Sequence, residues 1–190
     1  MRIKINGIII PNELKELYDF FEIEAFCPND LKLVDGESVA LDINSPGGYI
    51  YPASEIYTAL MRHKGEVIIT ITGRAASAAS VIAMAGTHVI ISPTAQMMIH
   101  NVQGRVSGDY RDLEQGAEVL KKCNDTIANA YMLKTGLQKD RLFELMNAET
   151  WFTPQEAIQL GFADEILGFS DDLAAEQEAL KLLEVKGRFI

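Results

Sequence analysis

The sequence predicts an α/β fold built around a largely parallel sheet. Runs of β-branched residues such as Val39–Ile43 and Val67–Thr72 are bounded by turn-forming residues. Segments with apolar residues at helical spacing stand between these runs. Strands that alternate with helices form βα units whose strands pair in parallel. A chain of 190 residues, 48% of them hydrophobic, is long enough for one such domain with a sizeable core.

Composition and charge exclude several classes of function. The net charge is −10 and the chain has no basic run, so we expect no binding to nucleic acid. It also has no stretch of about 18 apolar residues, so we expect no membrane span. Cys27 and Cys123 lack metal-type spacing and fit a reducing compartment. Met1–Ile5 alternates charged and apolar residues, unlike a signal peptide. We therefore expect a soluble, cytoplasmic protein with neither cofactor nor metal.

Local sequence patterns predict a strand, a helix and a loop in the N-terminal part of the chain. Ile3–Ile10 reads as a strand in which Gly7 marks a close approach or a bulge. Asn12 is a candidate helix cap, and residues 26–37 contain two turn signals typical of a loop. One face of the helix after Asn12 is expected to carry Leu14, Leu17, Tyr18 and Phe21.

The stretch Asn44–Gly48, Asn-Ser-Pro-Gly-Gly, is expected to end the second strand abruptly before a helix over Tyr51–His63. Pro46 restricts one backbone angle, while the two glycines permit positive φ and leave space for a substrate. Such a turn can aim a peptide N–H into the crevice at the carboxyl ends of the strands. Taken alone, the stretch is more often an ordinary strand-to-helix turn, which Pro-Gly-Gly forms well. It lacks the Gly-Lys-Ser/Thr ending of a phosphate-binding loop, so nucleotide binding is not implied.

The stretch Gly73–Gly86 places Ser77 where the third strand gives way to a helix rich in small residues. A serine at that junction exposes its Oγ beside free backbone N–H groups that suit a developing oxyanion. Ser77 is therefore a candidate nucleophile. The alternative is a helix cap or a small packing residue, and nearby Ser80 shows that serines are common here.

Three histidines are candidates for a general base. His63 stands between Arg62 and Lys64 at a charged helix end, and His88 opens a strand without an obvious partner. His100 ends the apolar strand Met97–Ile99 and precedes a polar loop. Since rigid strand ends present catalytic groups well, His100 is the best candidate, although a structural role is the common one for a lone histidine.

The remaining chain predicts strand Val89–Ile91 and a long amphipathic helix after His100. Ser107 or Asp109 caps this helix, which runs to about Lys134, and Gly136 suits its C-terminal stop. Its repeating apolar positions are Leu113, Ala117, Leu120, Ile127 and Tyr131. A short helix is expected around Glu144–Met146. Another is expected to begin at the capping box Thr153–Glu156 and to end at Gly161.

Four ordered blocks of this sequence resemble the proteolytic subunit of Clp protease. They are Asn44–Gly48, Gly73–Ser77, Pro93–His100 and Trp151–Asp164, within a resemblance that covers about residues 3–167. The details are most similar to Clp-protease-like proteins of phages and prophages associated with head maturation. The resemblance implies a crotonase-like fold of repeated ββα units over residues 1–168, with a protruding handle helix in about residues 101–136.

The resemblance also implies a serine endopeptidase site. It makes Ser77 the nucleophile, His100 the general base, and the backbone N–H groups of Gly48 and Ala78 the oxyanion hole. The third triad position falls on Glu149, where the family has aspartate.

Glutamate supplies the same carboxylate as aspartate on a side chain one methylene longer. Asp164 and Asp140 are rivals for this role, and Glu149 is otherwise a solvated loop carboxylate.

The resemblance implies a ring-shaped homo-oligomer, in which the long helix joins stacked rings. The expected substrates are peptides and unfolded proteins, with phage capsid or scaffold proteins as candidates. The chain begins almost at its first strand, so the resemblance does not extend to the axial loops that dock an ATP-driven unfoldase, and we expect ATP-independent cleavage. We expect residues 169–190, which extend beyond the family core, to form an acidic amphipathic helix. The alternatives are a non-catalytic capsid-assembly module with this fold, or a crotonase-type acyl-CoA hydratase or isomerase.

Overall fold

Eight strands of one sheet organise residues 1–169, which are the residues described by the computed structural model of this protein. The strands are β1 (Arg2–Ile9), β2 (Ala25–Phe26), β3 (Val39–Gly48), β4 (Val67–Ala76), β5 (His88–Ile91), β6 (Gln96–Ile99), β7 (Thr150–Phe152) and β8 (Glu165–Ile166). The helices are α1 (Lys15–Phe20), α2 (Ile50–Arg62), α3 (Ala78–Ala83), α4 (Tyr110–Thr135), α5 (Lys139–Asn147) and α6 (Pro154–Gln159).

The sheet forks at β4. Its main path is β2-β1-β3-β4-β5-β8, and every pair along it is parallel. The first half of β4 pairs with β5, whereas Arg74–Ala76 pairs in parallel with β6, which in turn pairs antiparallel with β7. The predicted α/β class with a largely parallel sheet is confirmed. Because β4 and β6 are parallel neighbours, the residues that follow them meet at one edge.

Apolar side chains of the central strands and of the helices packed on them form the core. Leu41, Ile43, Ile69 and Ile71 on β3 and β4 are fully buried, as the near-continuous apolar runs of a parallel sheet require. The helices α2 and α3 contribute further members, and α3 contacts both α2 and β3. Burial of α3 explains its composition of small and branched residues.

Strand β4 continues to Ala76, beyond the apolar run that ends at Thr72, and β3 is also longer than the sequence indicates. The stretch Asn44–Gly48 does not end β3 but is part of it, and Gly47 and Gly48 pair with Ile8 and Ile9 of β1. The register shifts between Asn6 and Ile8, where the Ser45 hydroxyl donates to the Gly7 carbonyl at 2.6 Å. The expected abrupt turn was therefore wrong, because pairing with β1 keeps a Pro-Gly-Gly segment in the sheet.

The N-terminal region departs further from expectation. Asn12 begins a short 3₁₀ turn and caps no helix; its Oδ1 accepts a hydrogen bond from the Asn29 N–H. Helix α1 buries none of its residues, and Leu17 and Phe21 are more than half exposed, so the predicted apolar face is not packed. The close approach expected at Gly7 is confirmed, since a Cβ there would lie 1.9 Å from the Glu24 carbonyl oxygen.

Helix α4 combines an exposed half with a packed half. The Asp109 side chain caps it, and Gly136 ends it in the left-handed conformation at φ 71°. Its first half leaves Leu113 and Val119 exposed, whereas Ile127 and Tyr131 are buried in the core. The first half of α4 is thus largely exposed, whereas its second half packs on the body of the fold.

The remaining predicted helices are present in the C-terminal part. The segment Glu144–Met146 lies in α5, and the Thr153–Glu156 capping box opens α6. In residues 1–169 no helix is both long and apolar enough to cross a lipid bilayer. The expected amphipathic helix of the C-terminal extension lies in residues 170–190, outside the described part of the chain.

Candidate active site

Ser77 is held in an unusual backbone conformation between β4 and α3. Its φ of 54° and ψ of −124° lie where few residues other than glycine are found. Its N–H donates to the Met98 carbonyl of β6 at 2.9 Å, and two small neighbours, Ala76 and Ala78, flank it. A serine kept strained by its surroundings at a strand-to-helix junction is typical of a functional position.

Ser77 and His100 are joined by a hydrogen bond. The Ser77 Oγ lies 2.7 Å from the His100 Nε2, although 23 residues separate them along the chain. This contact follows from the fork in the sheet, since Ser77 follows β4 and His100 follows β6. The other ring nitrogen, Nδ1, lies 3.5 Å from the Gln103 Nε2. The arrangement can transfer the Ser77 proton to the imidazole.

The other two histidines are engaged elsewhere. His63 Nε2 lies 2.7 Å from the Glu37 carbonyl oxygen, beyond the end of α2. His88 Nε2 lies 3.1 Å from the Glu165 carboxylate at the β5–β8 edge. Among the described residues, neither makes a hydrogen bond to Ser77.

A cavity of about 560 Å³ opens in front of Ser77 and His100. One side of it is formed by the backbone of the Pro46–Gly48 segment and the loop after His100. The rest is mainly apolar, with side chains from α3, β6 and α4 that include Val81, Met98, Ile127 and Tyr131. The cavity therefore offers an apolar surface beside the candidate nucleophile and the candidate base.

The predicted oxyanion-hole residues, Gly48 and Ala78, both line this cavity. Ala78 is the first residue of α3, so its N–H has no acceptor within the helix. Gly47, which precedes Gly48, has φ 92°, and a Cβ there would approach the Ala76 carbonyl oxygen to 2.6 Å and the Ser77 Cβ to 2.8 Å. Only glycine fits so tightly against the Ser77 turn in this conformation.

The backbone of Glu149 lies beside the backbone of His100. Glu149 immediately precedes β7, and Thr150 of β7 pairs with Ile99 of β6. Because the two strands are antiparallel, Glu149 lies opposite His100, one position beyond this last pair. Glu149 is exposed, with φ 49°, and no hydrogen bond joins it to His100 in the described part of the chain. The structure therefore brings the two backbones together but not the two side chains.

The rivals of Glu149 lie in other surroundings. The Asp164 carboxylate pairs with Lys134 at 2.6 Å and accepts from the Val89 N–H at 2.7 Å. These bonds engage Asp164 at the β5–β8 edge. Asp140 is exposed in the first turn of α5.

Several residues that the sequence did not single out stabilise the segment that follows His100. The Asn101 amide donates to the Asn147 Oδ1 at 2.8 Å, and the Val102 N–H donates to the Asn124 Oδ1 at 2.7 Å. These bonds tie the segment after His100 to α5 and α4. Asparagines in helices give no local signal of such a role, because their partners are distant in sequence.

Two buried hydroxyl groups form a hydrogen-bonded chain that ends at the Ser77 carbonyl. The Ser80 Oγ donates to the Ser77 carbonyl at 2.6 Å and lies 2.8 Å from the Tyr131 hydroxyl. Burial raises the pKa of Tyr131 well above that of an exposed tyrosine. Tyr131 was expected only as one of the repeating apolar positions of α4, and Ser80 only as a small residue beside the nucleophile.

Comparison with known proteins gives a consistent result. The family model described as Clp protease matches residues 31–169. An ATP-dependent Clp protease proteolytic subunit of Bacteroides fragilis is 32% identical over 134 residues, which are 70% of this chain and 65% of that protein. A protein of the same name from Deinococcus radiodurans is 30% identical over 133 residues, 69% of this chain and 65% of its own length.

A third such protein, from Bacteroides thetaiotaomicron, is 31% identical over 134 residues, covering 70% of this chain and 61% of that protein. The chain thus spans slightly less than two thirds of the relatives that it matches. The family match covers well over half of the chain and includes Ser77, His100 and Glu149. It agrees with the observed parallel sheet, its flanking helices and the crotonase-like fold expected from the sequence. The chain belongs to the Clp protease family.

Proposed function

We propose that this protein is a serine endopeptidase that hydrolyses peptide bonds with Ser77 as nucleophile and His100 as general base. The observation that carries the proposal is the 2.7 Å contact between the Ser77 Oγ and the His100 Nε2 at the wall of an apolar cavity. Membership of a family whose relatives are named as proteolytic subunits supports it.

The first half of the reaction forms an acyl-enzyme. As the Ser77 Oγ attacks the substrate carbonyl carbon, the His100 Nε2 takes the hydroxyl proton. The carbonyl electron pair moves to its oxygen, and the N–H groups of Gly48 and Ala78 stabilise the resulting oxyanion. The imidazolium of His100 then gives its proton to the leaving amine, and the C–N bond breaks.

The second half returns the enzyme to its starting state. Water gives a proton to His100 and attacks the ester carbon, and the new tetrahedral intermediate collapses with Ser77 as the leaving group. His100 returns the proton to the Ser77 Oγ. Throughout, we assign to Glu149 the role of accepting the His100 Nδ1–H and stabilising the imidazolium, for which its side chain must turn toward the ring.

The cavity indicates the preferred substrate. Val81, Met98, Ile127 and Tyr131 form an apolar wall beside Ser77. A substrate with an apolar side chain on the residue that donates its carbonyl would bury that side chain there. The chemistry consumes only water, so short peptides are expected to be cleaved without ATP. The resemblance to phage and prophage proteins adds capsid and scaffold proteins as candidate natural substrates.

Self-association into a ring is the second part of the proposal. The loop before α4 and the exposed half of that helix present large apolar side chains to solvent: Val106, Tyr110, Leu113 and Val119. Large apolar side chains that are exposed on one helix and its preceding loop favour burial against another copy of the chain. Repeated head-to-tail contacts that close give a ring.

The alternatives explain less of the site. A scaffold module does not need a strained serine hydrogen-bonded to a histidine, and hydratases of the crotonase superfamily work mainly through carboxylates. Neither accounts for Ser77 and His100 facing one cavity.

The test of the proposed activity is cleavage of a short fluorogenic peptide that carries an apolar residue before the scissile bond. Ser77→Ala should lower kcat/KM at least about 10³-fold, because no other group can form the acyl-enzyme. Ser38→Ala is the matched control, since Ser38 is exposed and its side chain makes no contact with the cavity. Equal activity of Ser77→Ala and wild type in purified preparations would overturn the proposal.

A further inference from the structure

Behind the Ser77 turn, two hydroxyl groups are buried in contact with each other. Ser80 on α3 is 0% exposed and Tyr131 on α4 is 1% exposed. Their oxygens lie 2.8 Å apart, and the Ser80 Oγ lies 2.6 Å from the carbonyl oxygen of Ser77. A chain of three polar groups therefore runs from the long helix to the backbone of the candidate nucleophile.

The direction of these hydrogen bonds follows from counting protons. The Ser77 carbonyl oxygen can only accept, so the single hydroxyl proton of Ser80 goes to it. The Ser80 oxygen then accepts the proton of Tyr131. Burial raises the pKa of Tyr131, so its hydroxyl remains a donor over the pH range in which a histidine base works. Each bond in such a chain polarises the next one.

The Ser77 carbonyl shares a planar peptide group with the Ala78 N–H. In a trans peptide the C=O and N–H point in opposite directions, so fixing one end fixes the other. The Ser77 oxygen is held by two donors, the Ser80 N–H at 2.9 Å and the Ser80 hydroxyl at 2.6 Å. Both lie on the α3 side, so the Ala78 N–H points away from α3 toward the turn that lines the cavity.

This peptide group is set by the strained ψ of −124° at Ser77. Strain of this kind persists only where the surroundings hold the backbone in place. The Ser77 N–H is fixed to Met98 at 2.9 Å on the β6 side, and the Ser80 hydroxyl fixes the carbonyl on the other side. Loss of the hydroxyl would leave the Ser77 carbonyl held by the Ser80 N–H alone, so the Ala78 N–H would be less firmly directed at the oxyanion.

We propose that Ser80 and Tyr131 form a positioning pair that orients the Ala78 N–H for oxyanion stabilisation. This inference rests on the proposed serine peptidase function and deepens it. Neither side chain needs to touch the reacting atoms; each acts through the Ser77–Ala78 peptide. The pair also links the buried half of α4 to the oxyanion hole, a connection across 51 residues of sequence.

The test uses Ser80→Ala, Tyr131→Phe and the double variant. Ser80→Ala should lower kcat about 10-fold, because a misdirected donor costs less than the roughly 10²-fold or greater loss of a missing one. Tyr131→Phe keeps the ring and the Ser80 bond to Ser77, so a smaller loss is expected. KM should change by less than about 2-fold in both, because the interaction acts in the transition state. Tyr57→Phe, at a partly buried tyrosine of α2 outside the cavity, is the matched control.

The double variant separates positioning from mere stability. Ser80→Ala leaves the Tyr131 hydroxyl buried without its acceptor, which should lower Tm, whereas removing both hydroxyls should restore much of it. If the pair only stabilises the fold, activity recovers with Tm in the double variant. If the pair positions Ala78, the double variant stays as slow as Ser80→Ala.

Affinity for a peptide boronate gives a second readout, because its tetrahedral adduct with Ser77 places an oxygen in the oxyanion hole. Its inhibition constant should rise in Ser80→Ala by the same factor by which kcat/KM falls. Wild-type kinetics in all three variants would overturn the positioning pair while leaving the proposed function intact. A wild-type protein that neither cleaves peptides nor reacts at Ser77 would instead overturn the proposed function, and the pair with it.

Discussion

His100 and Glu149 occupy neighbouring backbone positions at the end of the β6–β7 pair, just beyond Ile99 and Thr150. In the described part of the chain, no hydrogen bond joins their side chains. The His100 Nδ1 faces the Gln103 side chain instead, at 3.5 Å. A glutamate is long enough to turn from this position onto the ring. Glu149, the proposed third member of the triad, is therefore not engaged with His100 in this structure.

The first prediction concerns that carboxylate. Glu149→Gln should lower kcat/KM at least about 10²-fold, because the amide neither stabilises the imidazolium nor enforces the required tautomer of His100. The measurement is steady-state cleavage of the fluorogenic peptide. Asp164→Asn is the comparison, since Asp164 is paired with Lys134. Unchanged activity in Glu149→Gln would remove Glu149 from the triad, and a large loss in Asp164→Asn would reassign the role.

The second prediction concerns pH. Activity should fall as the pH is lowered from about 8 to about 5, because a histidine that becomes protonated can no longer accept the Ser77 proton. The rate of covalent labelling of Ser77 by a fluorophosphonate reports this step without peptide cleavage. His63→Asn, which changes a histidine bonded to the Glu37 carbonyl, should leave the profile unaltered. A labelling rate that does not vary over this range would contradict the role of His100.

The third prediction concerns Gly47. An added Cβ would lie 2.6 Å from the Ala76 carbonyl oxygen and 2.9 Å from the Ala78 nitrogen. Gly47→Ala should therefore displace the Ser77 turn and lower kcat/KM more than about 10-fold, as displacement of an oxyanion donor does. Gly36→Ala is the control, because Gly36 also has positive φ but a Cβ there would meet nothing within 4 Å.

Circular dichroism melting separates the two glycine variants. Both should lose roughly 1–2 kcal/mol of stability from the left-handed backbone conformation, and Gly47→Ala should lose more through its clashes. Only Gly47→Ala should lose activity while still folded. Wild-type kinetics in this variant would show that the segment over Ser77 does not help to shape the site.

The fourth prediction concerns assembly. A particle several times the 21.0 kDa of one chain is expected, with the exposed half of α4 in the contact. Replacing both Leu113 and Val119 by glutamate should reduce the mass, because burying charge in an apolar contact is unfavourable. Light scattering at micromolar concentration measures this. A wild-type monomer with full activity would contradict the ring but not the Ser77–His100 mechanism.

Much of the fold follows from the sequence because its strands are apolar runs and its helices carry local caps. The Thr153–Glu156 capping box and the Gly136 stop are recognisable from residues a few positions apart. The extension of β3 through Asn44–Gly48 is not, because it depends on pairing with β1, nearly 40 residues earlier. A Pro-Gly-Gly segment favours a turn until that partner is known.

The same distinction applies to the site. Ser77 and His100 could be selected because each stands at the end of a recognisable strand, where the sheet presents side chains. The bond between Ser80 and Tyr131 could not, since Tyr131 fits an apolar helical stripe equally well. Whether the Glu149 side chain reaches His100 depends on its rotamer, which no sequence pattern specifies.

Identification of the residue that reacts with a fluorophosphonate probe tests the central claim most directly. The intact protein is labelled, digested and analysed by mass spectrometry, with Ser77→Ala and His100→Ala treated in parallel. We expect one modified residue, Ser77, and no labelling in Ser77→Ala. Labelling should be strongly slowed in His100→Ala, because the Ser77 Oγ then loses the base 2.7 Å away. Labelling of another serine at the same rate in all three proteins would contradict the assignment of Ser77 as the nucleophile.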